Sequence, residues 1–135
     1  MANTTLTVAA STTVSMKVTE MCAGLMGVKG ASIKAFTATA GTGNFPVLGL
    51  ALDLSALFPT KVLAVVCSML YDTALTTGTL ACPVVYVPAA NNAPATGKLY
   101  AFRQTAATSG LVMIPDDTAG PAITGYVVTG FAIGY

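Results

Sequence analysis

The side chains that could perform chemistry are few and widely spaced. The sequence contains no histidine, so neither a Ser-His-Asp triad nor a Cys-His pair can form. A glycosidase would need two carboxylates facing a cleft shaped for sugar, and the chain has no tryptophan to stack on sugar rings. The sequence therefore predicts a protein that is not an enzyme. The candidate acids are Glu20, Asp53, Asp72, Asp116 and Asp117.

One acidic cluster is present, Asp116-Asp117-Thr118-Ala119-Gly120. A calcium ion takes about six to eight oxygen ligands, far more than two adjacent carboxylates supply. An aspartic protease would need Asp-Thr-Gly, and Ala119 interrupts that order. We expect a turn between two strands, in which the Asp side chains accept hydrogen bonds from backbone N–H groups.

The cysteines do not form a metal-binding pattern. Cys22, Cys67 and Cys82 lie far apart, and no CxxC pair accompanies them. Zinc sites use clusters of Cys and His, so no metal site is predicted. We expect reduced thiols that form no structural disulfide and pack as small apolar groups. The glycines match neither the GxxxxGK(S/T) nor the GxGxxG spacing of phosphate-binding loops, so no cofactor is expected.

Composition narrows the class of protein further. The chain has 135 residues, a net charge of +1, 8% charged residues and 54% apolar residues. Nucleic-acid binding needs a basic surface, so no nucleic-acid partner is expected. The longest strongly apolar run, residues 62–71, is shorter than the roughly 20 residues of a membrane-spanning helix. The N-terminus also lacks the pattern of a signal peptide, so we predict a soluble protein without a membrane partner.

Apolar residues that alternate with polar ones predict short strands along the chain. Residues 61–71 are apolar on both faces, which is typical of a central strand buried on two sides. Residues 53–58 are expected to form one short helical turn, capped by Asp53 or Ser55 and ended by Pro59. The predicted strands are residues 14–19, 31–39, 61–71, 82–87, 97–105, 111–114 and 123–135.

This spacing of strands and turns predicts an all-β fold, an antiparallel β-sandwich of jelly-roll or Greek-key type, over residues 14–135. Residues 1–13 contain no charge and few large side chains, so they are predicted to form an extended N-terminal arm or, alternatively, a frayed terminus. Such an arm would add a strand to a neighbouring subunit. Its predicted partner-binding residues are Thr4, Thr5, Leu6 and Val8.

Several local segments resemble those of small structural proteins of tailed-bacteriophage virions, of the head decoration or cement type. The segments are Val18-Thr19-Glu20, Asp53-Leu54-Ser55-Ala56-Leu57-Phe58-Pro59 running into Lys61-Val62-Leu63-Ala64-Val65-Val66, Thr96-Gly97-Lys98-Leu99-Tyr100-Ala101-Phe102, and Gly130-Phe131-Ala132-Ile133-Gly134-Tyr135.

The resemblance implies a β-sandwich without enzymatic activity that binds an icosahedral shell, with the major capsid protein as its partner. The expected location is the virion, assembled in the host cytoplasm. Self-association is expected because a surface with so few charges needs covering by other subunits. A homo-trimer is suggested by the local three-fold positions that decoration proteins often occupy. The resemblance implies no catalytic or metal-binding residue.

Two alternatives remain open at this point. The protein could be a neck, tail or fibre component of the virion, which the sequence barely separates from a decoration protein. It could also be a small adhesin-like or lectin-like binding module. Such a module would carry an exposed aromatic or carboxylate-lined pocket, whereas the loops here are mainly Ala, Asn, Thr and Pro.

Overall fold

A computed structural model describes residues 4–17, 31–46, 48–73, 81–104, 108, 110–114 and 122–135. Within these ranges the chain forms ten β-strands and one short 3₁₀ turn, Ala90–Asn92. The predicted all-β class is confirmed. The strands are β1 (Leu6–Lys17), β2 (Ser32–Ala40), β3 (Leu50–Leu52), β4 (Val62–Cys67), β5 (Leu70–Tyr71), β6 (Ala81–Cys82), β7 (Val84–Val87), β8 (Gly97–Gln104), β9 (Leu111–Ile114) and β10 (Val127–Gly134).

The strands form two antiparallel sheets. In the large sheet the order is β1-β2-β10-β5-β6, and β4 also pairs with β10. In the small sheet the order is β3-β8-β7, and β9 also pairs with β8. Strand β10 is the centre of the large sheet, because it pairs with β2 along its whole length on one side and with β4 and β5 on the other.

The hydrophobic core lies between the sheets and follows the alternation of the strands. In β8 the buried residues are Gly97, Leu99 and Ala101, which all lie on one side of the strand. In β10 the buried positions include Val128 and Ala132. The largest fully buried side chains are Phe45, Phe58, Leu50, Leu52, Leu54, Leu70, Leu99, Ile114 and Ile123.

The chain passes from one sheet to the other at Pro83. The sequence predicts one strand at residues 82–87, but β6 ends at Cys82 in the large sheet and β7 begins at Val84 in the small sheet. Proline has no N–H to donate to a strand ladder, so a strand is readily interrupted there. The Pro83 carbonyl still accepts a hydrogen bond from the Phe102 N–H at 3.0 Å.

The prediction of one central strand at residues 61–71 is wrong. The segment forms β4 and β5, separated at Ser68, whose hydroxyl accepts a hydrogen bond from the Thr129 N–H at 3.0 Å. Within the described part of the chain, β4 pairs with β10 alone and lies at an edge. Val66 is 68% exposed, so this strand is not buried on both faces.

The helical turn expected at residues 53–58 is a hydrogen-bonded turn that does not continue as a helix. The N–H groups of Leu57 and Phe58 both donate to the Leu54 carbonyl at 2.9 Å. The Asp53 Oδ1 accepts hydrogen bonds from the Ser55 N–H at 2.9 Å and from the Ser55 hydroxyl at 2.6 Å. The capping role of Asp53 is therefore confirmed.

The N-terminal arm expected over residues 1–13 is wrong as a separate element, because residues 6–17 form one strand of the large sheet. Strand β1 pairs with β2 from Leu6↔Ala40 to Ala10↔Phe36, and again from Ser15↔Lys34 to Lys17↔Ser32, with a register shift between them. The backbone of this segment is thus bonded within the chain, and no domain boundary falls at residue 13.

Candidate interaction surfaces

The outward-facing side of the large sheet carries apolar side chains across β2, β10 and β4. The register places Phe131 between Ala35 on β2 and Val66 on β4, and it places Ile133 between Ile33 and Ala64. Phe131 is 51% exposed although it lies on the central strand. We call this surface the Phe131 face, and we define it by eight uncharged residues; Lys61, which pairs with Tyr135, lies at its end. The eight residues are Ile33, Ala35, Thr37, Ala64, Val66, Thr129, Phe131 and Ile133.

A depression of about 410 Å³ opens on this face, with Phe131 in one wall. Two of its hydroxyl groups, those of Ser68 and Thr129, are bonded to each other. The Ser68 hydroxyl accepts hydrogen bonds from the Thr129 N–H and hydroxyl at 3.0 and 3.1 Å, and it donates to the Met69 carbonyl at 3.0 Å. Since Ser68 and Thr129 satisfy each other, the depression presents mainly apolar surface to an incoming group.

The outward-facing side of the small sheet is a second apolar surface. The register places Val85 opposite Tyr100, and Phe102 opposite Met113. The exposed fractions are 51% for Val85 and 44% for Met113. One charged residue lies among the described members of this surface, which we call the Met113 face. These members are Ala51, Val85, Val87, Lys98, Tyr100, Phe102, Gln104, Leu111 and Met113.

The described cysteines are unreactive apolar groups. Cys67 and Cys82 are both free thiols. Burial raises the pKa of Cys67 to about 11. Burial also raises the pKa of Cys82, and the positive charge of Arg103 offsets part of that effect. Because the thiolate is the nucleophile and the metal ligand, neither sulfur is activated at neutral pH. Cys22 lies outside the described residues.

The described residues contain no group of three or more His, Cys, Asp or Glu that could hold a metal ion. Asp53 is engaged in its own turn with Ser55. Glu20 and the acidic cluster at residues 116–120 lie outside the described residues, as does the predicted turn at residues 27–30. No helix in the ranges that the structure describes is long and apolar enough to cross a membrane.

The residues predicted to bind a partner from the N-terminus are mostly used within the fold. Thr4 is 3% exposed, and its hydroxyl donates to the Gly41 carbonyl at 2.6 Å. Leu6 and Val8 pack against the core, and of the four residues only Thr5 is exposed. They do not form a free patch, because β2 and the core already occupy them. Partner binding through this segment stays a prediction.

Sequence reasoning missed both apolar faces as surfaces. The alternation in residues 123–135 places Val127, Thr129, Phe131 and Ile133 together, but it does not say which side faces water. The sequence did contain one indication of these surfaces. Along these strands the side chains of both faces are apolar or small, which is unusual for a strand that has one solvated face.

Comparisons of the chain with protein-family models, with curated proteins and with solved structures found no significant match. The Phe131 face and the Met113 face are therefore the features of the molecule that bear on its function.

Proposed function

We propose that the protein is a non-enzymatic structural subunit that binds a bacteriophage capsid shell and stabilises it as a decoration protein. One observation carries the proposal: both outward-facing sides of the sandwich expose large apolar side chains, on a chain that is only 8% charged. Soluble monomers rarely expose wide apolar patches, and such patches commonly mark surfaces that contact other proteins.

The arrangement of the faces suits a subunit in a lattice. The Phe131 face and the Met113 face belong to different sheets, on opposite sides of one core. A subunit with two such faces can contact neighbours on both sides at once. On a shell that repeats the same site many times, contacts that are weak individually become strong collectively.

The interface that such a subunit needs is of ordinary size. A specific protein–protein contact buries about 800 Å² on each partner. The Met113 face offers Val85, Val87, Leu111 and Met113, with exposed fractions between 44% and 64%. These side chains would give the contact an apolar centre, and Lys98 would lie among them as a charge that must pair or stay at the rim.

The test is the copy number of the protein in purified particles. We expect a fixed, high ratio to the major shell protein when intact particles are quantified by mass spectrometry. A few copies per particle would overturn the decoration proposal in favour of a neck, tail or fibre component. Absence from particles, together with binding to a host-surface glycan, would overturn it in favour of an adhesin-like module.

Attachment can be tested directly by reconstitution. Shells stripped of the protein should bind the added chain, and their disassembly temperature should rise. The double variant Leu111→Ser, Met113→Ser should bind less, whereas Ala56→Ser, at an exposed position of the 53–58 turn, is the matched control. Unchanged binding of the double variant would show that the Met113 face is not the attachment surface.

A further inference from the structure

We infer that the Phe131 face packs against the same face of a second copy of this chain, so that the Phe131 ring of each copy enters the depression of the other. The inference does not depend on the proposed function. It assigns a partner to one of the two apolar faces, and it can be tested on the isolated protein.

A protruding group and a hollow that can receive it lie on the same face. Phe131 stands 51% exposed on the central strand, and the depression of about 410 Å³ lies directly beside it. A two-fold interface requires both elements on the same patch, because each contact occurs twice with the partners exchanged. The Phe131 face meets this requirement without help from any other part of the molecule.

The depression suits a phenyl ring in size and chemistry. An apolar cavity of about 150 Å³ is sufficient to hold benzene, so a phenyl ring fits the depression with room for its neighbours. The lining includes the apolar Ala35, Phe36, Val66 and Phe131, together with the mutually bonded Ser68 and Thr129. An incoming ring would lie beside the resident Phe131 ring, and offset or edge-to-face ring pairs are favourable. Buried aromatic side chains near the centre of a patch commonly dominate the binding energy.

The distribution of charge also favours this face. The eight residues that define the Phe131 face carry none, and Lys61, which pairs with Tyr135, lies at its end. Two copies can therefore meet about a two-fold axis near Phe131 without bringing like charges to the centre of the contact. In the Met113 face, Lys98 lies between Val87 and Ala51, so two copies joined there would bring two lysines towards one interface.

The area of the face sets the expected affinity. Strands β2, β10 and β4, which carry the face, have 9, 8 and 6 residues. With about 3.3 Å per residue and about 4.8 Å between strands, they cover roughly 360 Å² on each copy. That is less than half of the about 800 Å² per partner of a standard specific interface. We therefore expect a weak, reversible dimer with a dissociation constant on the order of 0.1–1 mM.

The experiment is sedimentation velocity of the full chain from about 10 μM to about 2 mM, a range that spans the expected dissociation constant. Wild-type protein should show a reversible monomer–dimer equilibrium. Phe131→Ser should raise the dissociation constant about tenfold or more. Ala35→Leu, which fills the depression and leaves Phe131 in place, should do the same. Met113→Ser is the control on the opposite face, and it should leave the dissociation constant unchanged.

Several results would contradict dimerisation through the Phe131 face. A wild-type monomer at all concentrations would overturn it, as would a trimer as the only oligomer, because a self-complementary face closes as a dimer. Dimerisation that persists in Phe131→Ser, or that is lost in Met113→Ser alone, would also overturn it. Circular dichroism and urea midpoints equal to wild type exclude misfolding, which is expected since the substituted side chains lie outside the core.

A second readout is needed if loss of the Phe131 ring in Phe131→Ser perturbs the sheet. The chain contains no tryptophan, so Phe131→Trp introduces a single reporter on the face itself. Its emission should shift to shorter wavelength as the concentration rises through the dissociation constant. Emission typical of exposed indole in samples that sediment as dimers would show that the contact lies elsewhere.

Discussion

Gly134 lies where the Phe58 ring packs against strand β10. An ideal Cβ at this position would meet the Lys61 carbonyl and would lie 2.7 Å from Phe58 Cγ. The same ring has the Lys34 Nζ 5.2 Å from its centroid, and this ammonium group donates to the Leu57 carbonyl at 2.6 Å. A methyl group at residue 134 would therefore displace the Phe58 ring and the Lys34 ammonium group that lies over it.

We expect Gly134→Ala to lower the free energy of unfolding by about 1–3 kcal/mol, the usual cost of overpacking a core. Urea denaturation followed by circular dichroism measures it. Gly110→Ala is the matched control, because a Cβ there meets no atom within 4 Å. That variant should be neutral or slightly more stable, since alanine restricts the unfolded chain. Equal midpoints for the two variants would contradict the close packing at Gly134.

Cys67 provides a prediction with a pH dependence. Its ordinary pKa of 9.0 rises to about 11 in the fold because burial disfavours the thiolate. Alkylation of folded protein by iodoacetamide should therefore be slow at pH 9 and should accelerate up to about pH 11. In urea the acceleration should occur near pH 9, as for an exposed thiol. Mass spectrometry of the labelled peptide separates Cys67 from the other thiols.

The raised pKa of Cys67 also determines how the stability of the fold changes with pH. The unfolded chain loses the Cys67 proton near pH 9, whereas the folded chain keeps it until about pH 11. The contribution of this group to stability is therefore complete below pH 9 and is lost as the pH rises towards 11. Cys67→Ser should remove this part of the alkaline loss. An identical decline in both proteins would assign it to other groups.

At the scale of elements, β1 is part of the fold and contributes to its stability. Its first residues bond to β2, and Leu6 and Val8 cover one side of the core. Deleting residues 2–13 removes that pairing and the burial of both side chains. We expect the free energy of unfolding to fall on the order of 3 kcal/mol, from half-buried apolar groups and lost hydrogen bonds.

Chemical denaturation of the shortened chain measures this effect. A deletion of residues 2–3 is the control, because it leaves Thr4 and the pairing of β1 in place. An unchanged denaturation midpoint after removal of residues 2–13 would mean that the segment is dispensable. In that case the earlier expectation of an arm that binds a neighbouring subunit would regain its basis.

Several elements were predictable because each strand has one buried and one outward side. Residues 31–39, 97–105 and 111–114 correspond closely to β2, β8 and β9. In β8, alternation separates Leu99 and Ala101 from Tyr100 and Phe102, and the structure buries the first pair. A period of two follows directly from the strand backbone, so it can be read without knowing the partners of a strand.

Other features depend on contacts that alternation does not encode. The sequence does not reveal that the chain changes sheets at Pro83, because proline interrupts a ladder without indicating where the next strand pairs. The edge position of β4 was missed because an apolar outer face reads like a second buried face. The direction of Phe131 was missed for the same reason. It is set by the small residues Ala132 and Gly134, which occupy the side where the core rings pack.

At the scale of the whole molecule, association should depend on apolar contact and not on ion pairs. The net charge is +1, and the described members of the Phe131 face are uncharged. Raising sodium chloride from about 0.1 M to about 1 M shortens the Debye length from about 10 Å to about 3 Å. We expect the dimer dissociation constant to change little over that range and to fall in ammonium sulfate.

Sedimentation in the two salts measures this dependence, and Phe131→Ser serves as the reference for non-specific salting out. A dimer that dissociates steadily as sodium chloride rises would indicate ion pairs in the contact. The apolar Phe131 face would then not be the main source of binding.

The central place of β10 in the large sheet has a consequence for biosynthesis. Strand β4 ends at Cys67, whereas β10 begins at Val127, and among the residues that the structure describes β10 alone joins the facing edges of β2 and β4. At about 5–20 residues per second, a ribosome needs on the order of several seconds to make the intervening chain. During this interval the nascent protein holds two strand edges that have no partner, a state that chaperones commonly protect. Because Phe131 arrives on β10 itself, the Phe131 face forms only when the sheet that supports it is completed.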